Sequence, residues 1–120
     1  MNLRLWPDEM AVYLHRAPVD FRKQINGLVV LVSESMERDA FKPALYVFTN
    51  GACNRVKVLY WDEQGFCLWL KRLEKHRFVW PVQHDSEVIE LTGDELNWLI
   101  GGYDIFRFAP HKALKYGAIT

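Results

Sequence analysis

The sequence predicts an α+β domain: one mainly antiparallel sheet of four to five strands, a long N-terminal helix and a short C-terminal helix. Three observations predict it. Phe21, Ile25, Leu28, Val32 and Met36 recur at spacings of 4, 3, 4 and 4, one apolar stripe on a helix. A series of short apolar segments divided by turn signals follows, from Leu45 to Trp80. Thr92 with Glu95 three residues later forms a capping box for a second helix. Strands that succeed one another after a single helix form hairpins rather than alternating βαβ units. A chain of 120 residues, 50% apolar and 25% charged, fits one folded core. Residues 1–120 are expected to form a single domain with a weakly structured tail from about 107.

Each element has a local cause. Val12-Tyr13-Leu14 follows the Pro7-Asp8-Glu9 loop and reads as a strand. Pro18-Val19-Asp20 reads as a helix start with Asp20 as N-cap, so the helix should run Asp20–Met36. Gly27 lies inside it at a cost of ~1 kcal/mol relative to Ala, either for a close backbone contact or as a tolerated residue. Leu45–Phe48 is a strand, and Asn50-Gly51 is a hairpin signal. Arg55–Trp61 and Phe66–Leu73 are strands joined by Asp62-Glu63-Gln64-Gly65. Arg77–Trp80 is a fourth of this series, stopped by Pro81, and Glu87–Leu91 a fifth. Thr92–Ile100 is the short helix, ended by Gly101-Gly102.

The central hairpin bears on function. With Gly65 left-handed, a type I turn plus bulge opposes Trp61 to Cys67 and Leu59 to Trp69. One face then holds Val56, Val58, Tyr60, Phe66, Leu68 and Leu70, expected to lie under the first helix. The other holds Arg55, Lys57, Leu59, Trp61, Cys67, Trp69 and Lys71. Three readings of this second face stay open. Its cations and tryptophans suit nucleic-acid phosphates and bases. They equally suit a protein partner. Or the face is a second core surface under the C-terminal segment, with cations snorkelling at the rim.

Charge is balanced overall but not along the chain. Residues 53–80 carry Arg55, Lys57, Lys71, Arg72, Lys75 and Arg77 against three acids, whereas 81–106 carry six acids and no Lys or Arg. The tail from Arg107 is basic. Such a chain presents a basic region to a polyanion or an acidic one to a basic partner, or leaves both solvated. Zero net charge argues against strong non-specific DNA binding by the whole chain. The longest apolar run, Gly27–Val32, has six residues, against about 20 for a membrane helix. The first residues show no apolar leader and turn acidic early, so a cytoplasmic location is expected.

Chemistry-bearing motifs are sparse. Cys53, Cys67, His76 and His84 lie at spacings of 14, 9 and 8, with no zinc-ligand pairing, so no metal and no cofactor is expected. No nucleophile elbow, phosphate-cradling glycine loop or zincin motif occurs. Asp20, Asp62, Glu74 and Asp104 are the carboxylates available for two-metal chemistry. Cap and turn roles account for the first three.

Pro18-Val19-Asp20-Phe21-Arg22-Lys23 with Gly27-Leu28, then Leu45 to Asn50, then Lys57-Val58-Leu59-Tyr60-Trp61-Asp62, then Gly65 to Trp69, Lys71 to Glu74 and Arg77 to Pro81 resemble one family. It is the small accessory TnpB proteins of the sixty-six-type bacterial insertion sequences, distinct from the RNA-guided nuclease of that name. The similarity spans about residues 12–105. Its most specific part is W-D-x-x-G-F-C-L-W-x-K-R-L-E. Phe21 stands where Met is usual, Gln24 where Gly is usual, Asn26 where Asp is common and Tyr60 where Trp is frequent. The resemblance implies a non-enzymatic accessory role in DNA transposition beside a larger transposase, and it supplies no catalytic residues. Two mechanisms are expected to compete. In the first, the protein binds DNA through Arg22, Lys23, Arg55, Lys57, Lys71, Arg72, Lys75 and Arg77, with Trp61 and Trp69 stacking, so Lys57→Glu or Arg72→Glu should weaken binding. In the second, it is an adapter that binds the transposase or another accessory protein through Trp61, Trp69 and residues 85–104. A third, enzymatic, possibility has Asp20, Asp62 or Glu74 binding Mg²⁺.

Overall fold

A computed structural model describes residues 5–107. The tail expected from about 107 lies outside the described residues, apart from Arg107. The chain forms β1 (Ala11–His15), α1 (Ile25–Glu34), β2 (Ala44–Thr49), β3 (Arg55–Asp62), β4 (Gly65–Arg72), β5 (Val88–Thr92) and α2 (Gly93–Ile100). The five strands make one sheet in the order β4-β3-β2-β1-β5. The α+β class and five strands stand, but the sheet is mixed. β1 and β2 pair in parallel, with Val12 opposite Leu45 and Leu14 opposite Val47. The reason is the connection: residues 16–43 include a helix, and that carries the chain back to the end from which β1 started. The other three pairings are antiparallel.

The first helix is short. It begins at Ile25, after Gln24, whose side chain makes no capping bond. Asp20 is not its N-cap. Its carboxylate instead accepts from the Arg22 N–H at 2.9 Å and pairs with the Arg22 guanidinium at 2.7 Å, closing a local turn. The carbonyls of Phe21 and Lys23, which would start an earlier helical turn, are taken by the Lys57 ammonium. At the other end Glu37 adopts a left-handed φ of 55° and stops the helix. The stripe holds: Leu28, Val32 and Met36 are buried, with Phe21 and Ile25 partly so. Each fully buried side chain of this kind contributes ~1.5–3 kcal/mol. At Gly27 a Cβ would stand 3.1 Å from the Lys23 Cβ, so the tight neighbour is the preceding turn.

Two apolar layers flank the sheet. Under α1 lie Tyr46, Phe48, Leu59 and Ala44. On the opposite face Val12, Leu14, Leu45, Val47, Val56 and Val58 pack beneath Leu96, Leu99 and Ile100 of α2, together with Phe78 and Trp80. The Val56–Val58–Tyr60 side therefore lies under α2, not under the first helix as expected. Residues 77–80 form no strand. They run as an extended strap. The Phe78 N–H donates to the Cys53 carbonyl at 2.7 Å, and Trp80 Nε1 donates to the Arg16 carbonyl at 3.0 Å. A strap held by one main-chain and one side-chain bond needs no ladder, and its apolar residues Phe78 and Trp80 cover the second layer.

The α2 cap is as expected. The Thr92 hydroxyl accepts from the Glu95 N–H and the Glu95 carboxylate accepts from the Thr92 N–H. Gly102 follows at φ 93°. Asn97, buried on α2, binds residues 5–6: its Oδ1 accepts from the Leu5 N–H at 2.9 Å and its Nδ2 donates to the Trp6 carbonyl at 2.9 Å.

Candidate nucleic-acid interface

The β3–β4 hairpin decides which side chains share a face. Asp62 pairs with Gly65, Trp61 with Phe66, Leu59 with Leu68 and Lys57 with Leu70. The loop is two residues, not four. Glu63 takes the left-handed φ of 54°, Gly65 does not, and the Gln64 N–H turns back onto the Asp62 carbonyl. This is one residue from the expected register, and a slip of one moves every β4 side chain to the other face. Arg55, Lys57, Leu59 and Trp61 thus share the α1 side with Phe66, Leu68, Leu70 and Arg72. Cys67, Trp69 and Lys71 join Val56, Val58 and Tyr60 on the α2 side. The basic-aromatic face does not exist as one surface.

Its members take separate roles. Lys57 is 5% exposed. Its ammonium donates to the Phe21 carbonyl at 3.0 Å and the Lys23 carbonyl at 2.8 Å and lies 4.6 Å from the Phe21 ring centre. Burial, and secondarily Arg55, lower its pKa. This lysine ties the 20–24 loop to the sheet, with two of its three N–H groups bonded to main-chain carbonyls and the side chain buried. Lys71 donates to the Ile100 carbonyl at 2.8 Å, satisfying the C-terminus of α2. Trp69 packs edge-on against Trp6 at 5.1 Å, within the α2-side layer. Trp61 sits in an aromatic cluster with Phe41 at 4.8 Å and Phe66 at 4.9 Å. Both tryptophans are partly buried in these aromatic contacts, on opposite sides of the sheet.

The remaining cations gather elsewhere. Arg55 opens β3 and Arg72 closes β4, directly opposite one another. Arg22 and Lys23 lie on the loop that Lys57 ties down. Lys75 and Arg77 lie between two backbone bonds, Leu73 to Asn54 and Phe78 to Cys53, that hold their segment to the β2–β3 loop. All six are exposed at one end of the sheet. Two carboxylates temper them: Asp20 pairs with Arg22, and Glu74 with Arg72 at 3.0 Å. The Arg22 guanidinium holds the Asp20 carboxyl at a pKa of about 2, and the Arg22 pKa rises in return. Of these groups Arg55, Arg72 and Glu74 line a groove of ≈ 730 Å³, together with Phe21, Gln24, Lys57, Leu68 and Leu70.

The β2–β3 loop is built by a side chain. Asn50 Oδ1 accepts from the Asn54 and Arg55 N–H groups at 3.1 and 3.0 Å, and the left-handed residue is Cys53 rather than Gly51. Among the described residues no group of three or more His, Cys, Asp or Glu is placed to hold a metal ion. Sequence reasoning missed the exposure of Leu70, at 55%, because its parity depends on the loop length. It also missed Trp98 and Tyr103, 47% and 52% exposed and in edge-to-face contact at 4.9 Å. Trp98 could have been found as the α2 residue off the Leu96–Leu99–Ile100 face.

The whole-chain pattern decides the family. The family model described as "IS66 Orf2 like protein" matches residues 10–110. The chain belongs to the IS66 Orf2-like family. The family is one of transposition-associated proteins, consistent with the resemblance carried by the central block. Two similar proteins come from Sinorhizobium fredii (strain NBRC 101917 / NGR234). "Uncharacterized protein y4jC" is 36% identical over 87 residues, 72% of this chain and 74% of the relative. "Uncharacterized protein y4hO" is 30% identical over 103 residues, 86% of this chain and 83% of the relative. No solved structure matches. Among the described residues, no helix is long and apolar enough to cross a membrane.

Proposed function

We propose that this IS66 Orf2-like protein is an accessory factor of insertion-sequence transposition that assists a separate transposase by contacting DNA. The contact runs through the cationic end of the sheet. One observation carries the reading: Arg22, Lys23, Arg55, Arg72, Lys75 and Arg77, dispersed over the sequence, are all exposed on segments that meet at one end of the sheet, where Arg55 and Arg72 line a groove and Asp20 and Glu74 pair with two of the six. Such a cluster meets phosphates by counterion release and carries no base readout by itself. The test is a salt titration against labelled insertion-sequence end DNA and an unrelated duplex. For about four to five phosphate contacts, log K should fall with log salt at a slope of about −4. Arg55→Glu with Arg77→Glu should weaken binding and flatten the slope. Binding indifferent to salt refutes the reading.

A second reading, an adapter without direct DNA contact, rests on a different surface. Trp98 and Tyr103 form an exposed aromatic pair within the acidic 85–104 stretch. Aromatic anchors of this kind supply binding hot spots. Capture of the transposase that survives Arg55→Glu and is lost in Trp98→Ala supports the adapter.

A further inference from the structure

The last strand of the sheet, β4, has an outer edge with no backbone partner among the described residues. Its eight residues run without a proline. An open strand of this length is a template for another strand, and sequences usually blunt it with charge or a bulge. Here the only charges on it are Lys71 and Arg72 at one end. Lys71 is turned onto α2. The middle, Phe66 to Leu70, is apolar.

The side chains are arranged to match a copy of themselves. On the α1 side β4 presents Phe66, Leu68, Leu70 and Arg72 in succession. Leu70 is 55% exposed, and Phe41, which caps the Phe66–Trp61 cluster, is 57% exposed. Leu70 and Phe66 are four residues apart on an extended strand, about 13 Å, so Leu70 cannot cover the aromatic cluster of its own chain. The charges are polarised too. The Asp62-Glu63 turn precedes β4 and Arg72 ends it.

We propose that β4 pairs antiparallel with β4 of a second copy of this chain, about a two-fold axis beside Leu68, joining two five-stranded sheets into one. A two-fold axis normal to the sheet keeps the α1 sides together, so residues whose numbers sum to an even value face each other. With Leu68 opposite Leu68 of the second copy, each Leu70 stands opposite the other copy's Phe66, beside its Phe41 and Trp61. Each Arg72 comes to the other copy's Gln64, next to its acidic turn. At both ends Arg72, which also pairs with Glu74 of its own chain, then meets the other copy's acidic turn, and both exposed apolar groups are covered. The interface is isologous, as closed dimers require. An unrelated peptide would gain the backbone bonds but has no reason to repeat this polarity. The seam shares Leu68, Leu70 and Arg72 with the groove of the DNA contact above, and its readout is mass rather than nucleic-acid binding.

The test uses the full chain in analytical ultracentrifugation across micromolar concentrations, with thermal unfolding as a control of the fold. The wild type should sediment with twice the mass of one chain. Leu70→Lys, at an exposed position, should halve that mass while keeping a cooperative unfolding transition, with a Tm that no longer rises with protein concentration. Arg72→Glu should loosen the dimer by setting like charges together, and Arg72→Glu with Glu63→Arg should restore it, which a general loss of stability would not do. A wild-type monomer throughout overturns the proposal. So does a dimer that Leu70→Lys leaves intact, or a failure of the charge exchange to restore what Arg72→Glu loosens.

Discussion

Replacing Lys57 by Met separates a lysine that binds phosphate from one that holds the fold. The ammonium makes two bonds to main-chain carbonyls, at 3.0 and 2.8 Å, from a side chain 5% exposed. Hydrogen bonds to charged groups are each worth about 1.5–3 kcal/mol. Against their loss stands the relief of burying a charge, and Met keeps most of the apolar stem. The net expectation is a loss of about 2–3 kcal/mol. Unfolding entropy of about 2.1 cal/mol/K per residue gives roughly 0.25 kcal/mol/K for this chain, so Tm should fall by about 10 °C. Lys57→Glu, which would put a carboxylate against the same carbonyls, should fail to fold. Thermal unfolding by circular dichroism gives the size, and amide exchange over residues 21–28 gives the place. DNA binding of the folded Met variant should match the wild type. An unchanged Tm with lost DNA affinity would refute the reasoning and return Lys57 to the binding surface.

Three other outcomes are expected. In Gly93→Ala the new Cβ would lie 1.8 Å from the Pro7 carbonyl oxygen. Overpacking of about 1–3 kcal/mol should outweigh the ~1 kcal/mol gain in helix propensity, and a more stable variant would contradict this. Asn97→Leu removes the partner of the Leu5 and Trp6 N–H groups and of the Trp6 carbonyl and should cost about 2–3 kcal/mol, with faster amide exchange at both residues; unchanged exchange would show that the amide does not hold this segment. The Asp20 carboxyl is held at a pKa of about 2, below its ordinary 3.8, so its contribution to stability is present above 3.8 and is lost as pH falls through 2. Asp20→Asn should therefore differ from the wild type in Tm near neutral pH and converge with it below about 2, and a constant gap would refute the linkage.

The α+β class, the positions of β1, β2, β3, β4 and β5 to within a residue or two, the apolar stripe of α1 and the α2 capping box are legible in the order of residues alone. These rest on short-range physics: side-chain periodicity, and a Thr and Glu three residues apart. That order also carried the family, through a long, dense block of residue types. Tertiary structure decided the rest. The parallel β1–β2 pairing depends on which end of the sheet the α1 connection returns to. The length of α1 depends on Lys57, more than thirty residues away, taking the carbonyls that an earlier helical turn needs. The candidate surface turned on a single residue of hairpin register. Glu63 accepted a left-handed φ that side-chain propensity assigns to Gly65, and this shortened the loop to two residues. It sent Trp69 and Lys71 under α2 and left Leu70 outside, because a strand alternates its faces with a period of two and allows no intermediate outcome.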